Sequence, residues 1–147
     1  MSRVVRRWRV AGFSTAVLAF AMVAAPAWTQ TDPGLNMREI MLAVIAPMTN
    51  KLWAASDIQT DTQWLELEQA ALTVIAAGTL ISQGGPDGAY REQAQNADWQ
   101  EHTQAMMTAA RSAVRAIQNR DEEALFAAGN DELYPPCENC HATYLPK

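Results

Sequence analysis

Residues 60–82, TDTQWLELEQAALTVIAAGTLIS, decide the fold class. Trp64, Leu67, Ala71, Val74 or Ile75, Gly78 and Ile81 recur at steps of three and four, the spacing that gathers side chains on one face of an α-helix. Thr60 followed by Gln63 three residues on has the pattern of a capping box, which satisfies two amides that a helix start leaves without partners. Gly84, Gly85, Pro86 and Gly88 then stop the helix, and the polar run to Asn96 reads as loop or a frayed turn. A helix over about residues 61–82 is therefore predicted.

The same period continues on both sides. Toward the C-terminus, a helix begins near Asp98, which is expected to cap the amide three residues on while Glu101 reaches back. Trp99, Thr103, Met106, Ala110, Val114 and Ile117 form its apolar stripe, and Arg111, Arg115 and Arg120 lie toward the end that favours cations. Asp121, Glu122 and Glu123 open a fourth helix that carries Leu125 and Phe126 inward. Gly129, Pro135 and Pro136 predict a bend and a restart before residue 137, with proline suited to a first turn. Toward the N-terminus, Leu35, Arg38, Met41 or Leu42, Ile45, Met48 and Leu52 mark a helix over about residues 35–55, and Pro47 predicts a kink within it. No stretch alternates convincingly with period two. The expected architecture is all-α, an antiparallel four-helix bundle whose sequence neighbours are spatial neighbours.

On the last of these segments stands CENCH, residues 137–141. On a helix, positions i, i+3 and i+4 share a face, so Cys137, Cys140 and His141 can meet one guest. Cys-x-x-Cys-His is the attachment pattern of c-type haem, with two thioether bonds to the porphyrin and the histidine on the iron. Other readings stand beside it. A structural disulfide leaves the histidine unexplained, and a thioredoxin-like dithiol needs a βαβ setting that this pattern lacks. Zinc needs about four ligands, and the second of the chain's two histidines, His102, is its only other imidazole.

The 147 residues suit one domain. Residues 1–27 read as a removable export signal: Arg3, Arg6, Arg7 and Arg9, then the uncharged run from Val10 to Ala25, then Ala25-Pro26-Ala27 as a small-residue cleavage site. An uncleaved anchor is the alternative. Export gives the oxidising, haem-attaching compartment that the motif requires, so the periplasm is expected. Removing that segment takes the basic side chains from 11 to 7 against 16 acidic ones, a formal charge of −9. Such a surface disfavours nucleic acid and anionic lipid, and suits a basic redox partner protein or membrane complex; it equally keeps a protein soluble.

Four helices behind an export signal, with Cys-x-x-Cys-His on the last, resemble the class II cytochromes c, the cytochrome c′ family. The resemblance implies one covalent haem c held by Cys137 and Cys140, with His141 as the proximal ligand. MREIML, residues 37–42, is similar to the family's first-helix pattern, which implies that Arg38 contacts a haem propionate. It also implies that the distal side chain comes from the next turn, where Met41 and Leu42 both stand. Met41 on the iron gives six-coordinate His/Met haem and a one-electron carrier, since a soft thioether favours Fe(II). Leu42 over the iron leaves an open position for small gases such as nitric oxide or carbon monoxide. Met37 is the next methionine on that face, while Met48, Met106 and Met107 read as core.

His102 sits among Glu101, Thr103 and Gln104 and reads as solvated. Trp53, Trp64 and Trp99 read as core that can flank a porphyrin. Tyr134 and Tyr144 either hydrogen-bond a propionate or close the bundle end. Family members often pair as homodimers. Many keep the last helix continuous into the motif and carry a basic residue soon after it, where this chain has Pro135-Pro136 and only Lys147. With no paired-carboxylate, nucleophile–base or phosphate-cradling pattern in the sequence, a non-enzyme is expected.

Overall fold

The computed structural model describes residues 34–145; residues 1–27, read above as an export signal, and Lys147 lie outside the described residues. All regular structure among these residues is helical, arranged as four packed rods.

The first rod runs without a break through α1 (Met37–Glu39), a π-helical segment (Ile40–Ile45) and α2 (Ala46–Trp53). Its start is a capping box that the sequence pattern Asn-x-x-Glu encodes: Asn36 Oδ1 accepts from the Glu39 amide at 3.0 Å, and Glu39 Oε2 accepts from the Asn36 amide at 2.9 Å. At Pro47 the backbone widens instead of breaking. The Ala46 amide donates to the Met41 carbonyl five residues back, so the turn before the proline holds one residue more than an α-turn.

α3 (Asp61–Ser82) has the predicted bounds, and its Thr60–Gln63 capping box is formed. It closes with a glycine turn in which the Gly85 amide donates to Leu80 and the Gly84 amide to Ile81, with Gly84 at φ +90°, the left-handed region. A side chain at Gly84 would also strike the backbone of Tyr90 and Arg91 at 2.6 Å, so only glycine fits.

After a short 3₁₀ turn (Gln93–Gln95) comes α4 (Ala97–Gln118). Its start departs from expectation: Asn96 stands at the N-cap position, and Asp98 accepts from the amide of Trp99 rather than from the amide of Glu101. Arg120 in the left-handed region turns the chain, and Asp121 caps α5 (Glu122–Ala127) by accepting from the Ala124 amide.

The bend and restart predicted at Gly129–Pro136 are absent. α5 passes through a second π-helical segment (Ala128–Leu133) directly into α6 (Tyr134–Tyr144). Pro135 and Pro136 fall in the first turn of α6, where a missing amide does least harm. The last rod is thus continuous into the 137–141 motif.

α3 and α4 form the most extensive pairing. Ala71, Ala110 and Ala113 are fully buried, and Gly78 lies so near α4 that an added Cβ would sit 2.6 Å from Met107 Cγ. Around this small-residue seam, Ile40, Leu52, Val74, Ile81, Leu125 and Leu133 are buried to within 1%. Each contributes roughly 1.5–3 kcal/mol on leaving water. Phe126 is 57% exposed, against expectation. It stands about 100° around the helix from Leu125, which takes the core-facing side of α5. In the first rod the buried row is Met37, Ile40, Ile45, Thr49 and Leu52, with the five-residue step from Ile40 to Ile45 at the wide turn; Leu35 precedes the Asn36 cap and is exposed.

Candidate functional site

A cleft of ≈ 210 Å³ opens between the first rod, α4 and α6. An ordered water needs only about 10–15 Å³ of such space, so a much larger guest can enter. The first rod lines the cleft with Met41, Leu42, Ile45, Ala46, Thr49, Asn50 and Trp53; α3 adds Ile81, α4 His102, Thr103 and Met106, and α6 Pro136, Cys137, Cys140 and His141.

Most of the polar groups among these residues are already served. Thr49 Oγ1 donates to the Ile45 carbonyl at 3.0 Å, and Thr103 Oγ1 to the Trp99 carbonyl at 3.0 Å. Trp53 Nε1 donates to the Gly129 carbonyl at 2.7 Å, and Cys137 Sγ lies 3.2 Å from the Leu133 carbonyl. Neither imidazole has a hydrogen-bond partner among the described residues. What the cleft offers a guest is therefore two thiols, two imidazoles, the Asn50 carboxamide and the thioethers of Met41 and Met106, on largely apolar walls.

The thiols are not bonded to each other. Burial, with the neighbouring Cys140, pushes the Cys137 thiol from 9.0 up to about 11, and burial chiefly raises Cys140 as well. Reactive dithiols need the reverse, a thiol acidified by nearby positive charge or a helix N-terminus, so these are neutral thiols at neutral pH. Among the described residues no three His, Cys, Asp or Glu side chains converge as ligands for a bare ion. A guest that brings most of its own metal ligands and two points for sulfur attachment fits the donor set better than zinc does.

Both ends of α6 are tied down. Tyr134 meets Trp53 edge-to-face at 6.0 Å between centroids. Tyr144 meets Trp99 at 4.9 Å and 77°, and its hydroxyl donates to Asp98 Oδ1 at 2.6 Å while accepting from Asn96 Nδ2 at 3.3 Å. Trp99 itself stacks on Tyr90 and donates to the Ile81 carbonyl at 3.0 Å. Tyr144 therefore closes the bundle end and spends its hydroxyl there.

Of the residues singled out in the sequence, the fold brings Met41, Leu42, Cys137, Cys140 and His141 to one cleft. Arg38 is exposed and does not line it. Met37 is buried elsewhere, against Gly85. His102 is half-buried and lines the cleft, contrary to its solvated reading. Its charged sequence neighbours hid it; the usable signal was its place beside Thr103 and one turn before Met106. Thr49, Asn50 and Pro136 also went unmarked. The chain matches no protein family, no curated protein and no solved structure.

Proposed function

We propose that this protein is an exported c-type cytochrome that carries single electrons, with one haem c linked to Cys137 and Cys140 and its iron ligated by His141 and Met41. The observation that carries this reading is the convergence, in one apolar cleft, of both thiols and the imidazole of the 137–141 motif with a thioether almost a hundred residues away. The haem, when bound, supplies an iron that alternates between Fe(II) and Fe(III). The chain's own part is to hold that group and tune it. His141 and Met41 would set the ligand field, and the soft thioether would favour the reduced state.

An antiparallel bundle suits this role, because rods with side-chain ties at both ends hold ligands on fixed elements. Arg120 paired with Asp61 at 2.6 Å, linking the end of α4 to the start of α3, supports that arrangement. The acidic surface suits a basic redox partner or a membrane complex, and electron transfer asks for no acid–base or nucleophilic pair.

Leu42 lines the same cleft, and this favours a second reading in which it covers an open sixth position that binds nitric oxide or carbon monoxide. The absorption spectrum of the purified, reduced protein with and without carbon monoxide separates the two. A low-spin spectrum indifferent to the gas supports the electron carrier. A high-spin spectrum that shifts with carbon monoxide supports the gas binder, and the absence of covalent haem sinks both.

A further inference from the structure

We infer that Pro47 is the positioning residue that selects which first-rod side chain meets the iron, by holding the turn before it in a wide register that brings Met41 into the cleft. The inference rests on the haem reading above and concerns the sixth ligand.

The argument begins with the backbone. Ala46 lines the cleft, and its amide donates to the carbonyl of Met41, five residues back. In an α-helix that amide would bond Leu42, four residues back, and Leu42 would occupy the row beneath Ala46. Met41 would then stand about 100° further round, beneath Ile45 at the edge of the face whose centre is formed by Ala46, Thr49, Asn50 and Trp53. The extra residue in the wide turn cancels that rotation, and both Met41 and Leu42 border the cleft.

Proline supplies the reason for the extra residue. Pro47 has no amide to donate, and in an α-register its ring would crowd the carbonyl of Ala43. Widening the preceding turn relieves the crowding without breaking the rod. The last rod repeats the arrangement independently: the π-helical Ala128–Leu133 immediately precedes the turn that holds Pro135 and Pro136. In this chain, wide turns stand just before helical prolines on both sides of the cleft.

Pro47→Ala restores the amide and a strong helix former, so the α-register becomes the favoured one. The expected result is loss of the thioether ligand: the low-spin spectrum gives way to a high-spin one that shifts with carbon monoxide. The decisive companion is the exchange Met41→Leu with Leu42→Met. With Pro47 intact the exchange abolishes low-spin ligation; combined with Pro47→Ala it restores it, because position 42 now occupies the row. A merely structural role for Pro47 does not produce that reversal.

Retention of the wild-type spectrum by Pro47→Ala, or an exchange that behaves alike with and without Pro47, overturns the inference while leaving the electron-carrier reading intact. Wild-type protein that binds carbon monoxide or lacks covalent haem overturns that reading and the inference together. If Pro47→Ala fails to fold, the exchange in the wild-type background still decides: unchanged low-spin ligation there means that the register does not select Met41.

Discussion

The indole Nε1 of Trp53, the last residue of α2, donates a 2.7 Å hydrogen bond to the carbonyl of Gly129 in the second π-helical segment. One bond thus joins the rod that carries Met41 to the rod that carries the 137–141 motif, and Trp53 also forms a wall of the cleft between them. A Cβ at Gly129 would lie 3.5 Å from the indole Cδ1, an ordinary contact, so the bond does not depend on glycine there.

Trp53→Phe keeps a ring against Tyr134 but removes the donor. A half-buried carbonyl left without its partner costs about 1–3 kcal/mol. Urea unfolding followed by circular dichroism should show a lower midpoint with an unchanged slope, the mark of lost stability rather than altered compactness. Trp53→Leu should lose more, because the edge-to-face contact goes as well.

At the α3–α4 seam, Gly78→Ala tests how tightly the small residues pack. Alanine gains roughly 1 kcal/mol of helix preference over glycine. Against this, its Cβ would lie 2.6 Å from Met107 Cγ and 3.0 Å from Met106 Cε, and overpacking of that kind costs roughly 1–3 kcal/mol. The expected net effect is destabilisation in the wild-type protein. In a Met107→Ala background only the flexible end of Met106, at 3.0 Å, is left to give way, and Gly78→Ala should stabilise relative to that background; the sign change, read from thermal unfolding, is the check.

The sequence made the helices legible where local chemistry dominates. Thr60 with Gln63 and the glycines from Gly84 onward set the two ends of α3, and Asp121 set the start of α5. Pro135-Pro136 misled: a local signal for a break, they stand in a rod that runs on through a widened turn, as the first rod also does at Pro47. That Cys137, Cys140 and His141 would share one cleft was legible because they carry their spacing within five residues. His102 was not, because which side of α4 faces the cleft depends on where α6 lies.

Tyr144→Phe probes the closure of the bundle end and has a defined pH dependence. The hydrogen bond from Tyr144 holds the Asp98 carboxyl below its ordinary 3.8, so the bond's contribution is present above that value and is lost as pH falls through the folded-state pKa. The same bond raises the Tyr144 hydroxyl above its ordinary 10.0, so the contribution is present below that value and is lost as pH rises through the folded-state pKa. The melting temperature of Tyr144→Phe should therefore lie below wild type by a nearly constant amount through the neutral range. The two should converge at both extremes. A gap that persists in acid shows that ring packing against Trp99, and not the bond to Asp98, is what the hydroxyl supports.

On the proposed haem reading, a second ligand beside His141 would come from the same cleft, which offers the thioethers of Met41 and Met106 and the imidazole of His102. The two kinds of donor differ in chemistry: a thioether favours Fe(II) and raises the potential, whereas a second imidazole favours Fe(III) more and lowers it. They also differ in support. Met41 comes from the first rod, across the cleft from the motif, while His102 comes from α4, whose start is clamped to the end of α6 through Asp98 and Tyr144. On that reading, Met41 would be the partner of His141 and His102 the alternative. Met41→Ala should convert the low-spin spectrum to a high-spin form that binds carbon monoxide, and His102→Ala should leave it low-spin. The reverse outcome, with His102→Ala opening the iron and Met41→Ala silent, assigns the ligand to α4 and predicts a lower potential by redox titration of the wild-type protein.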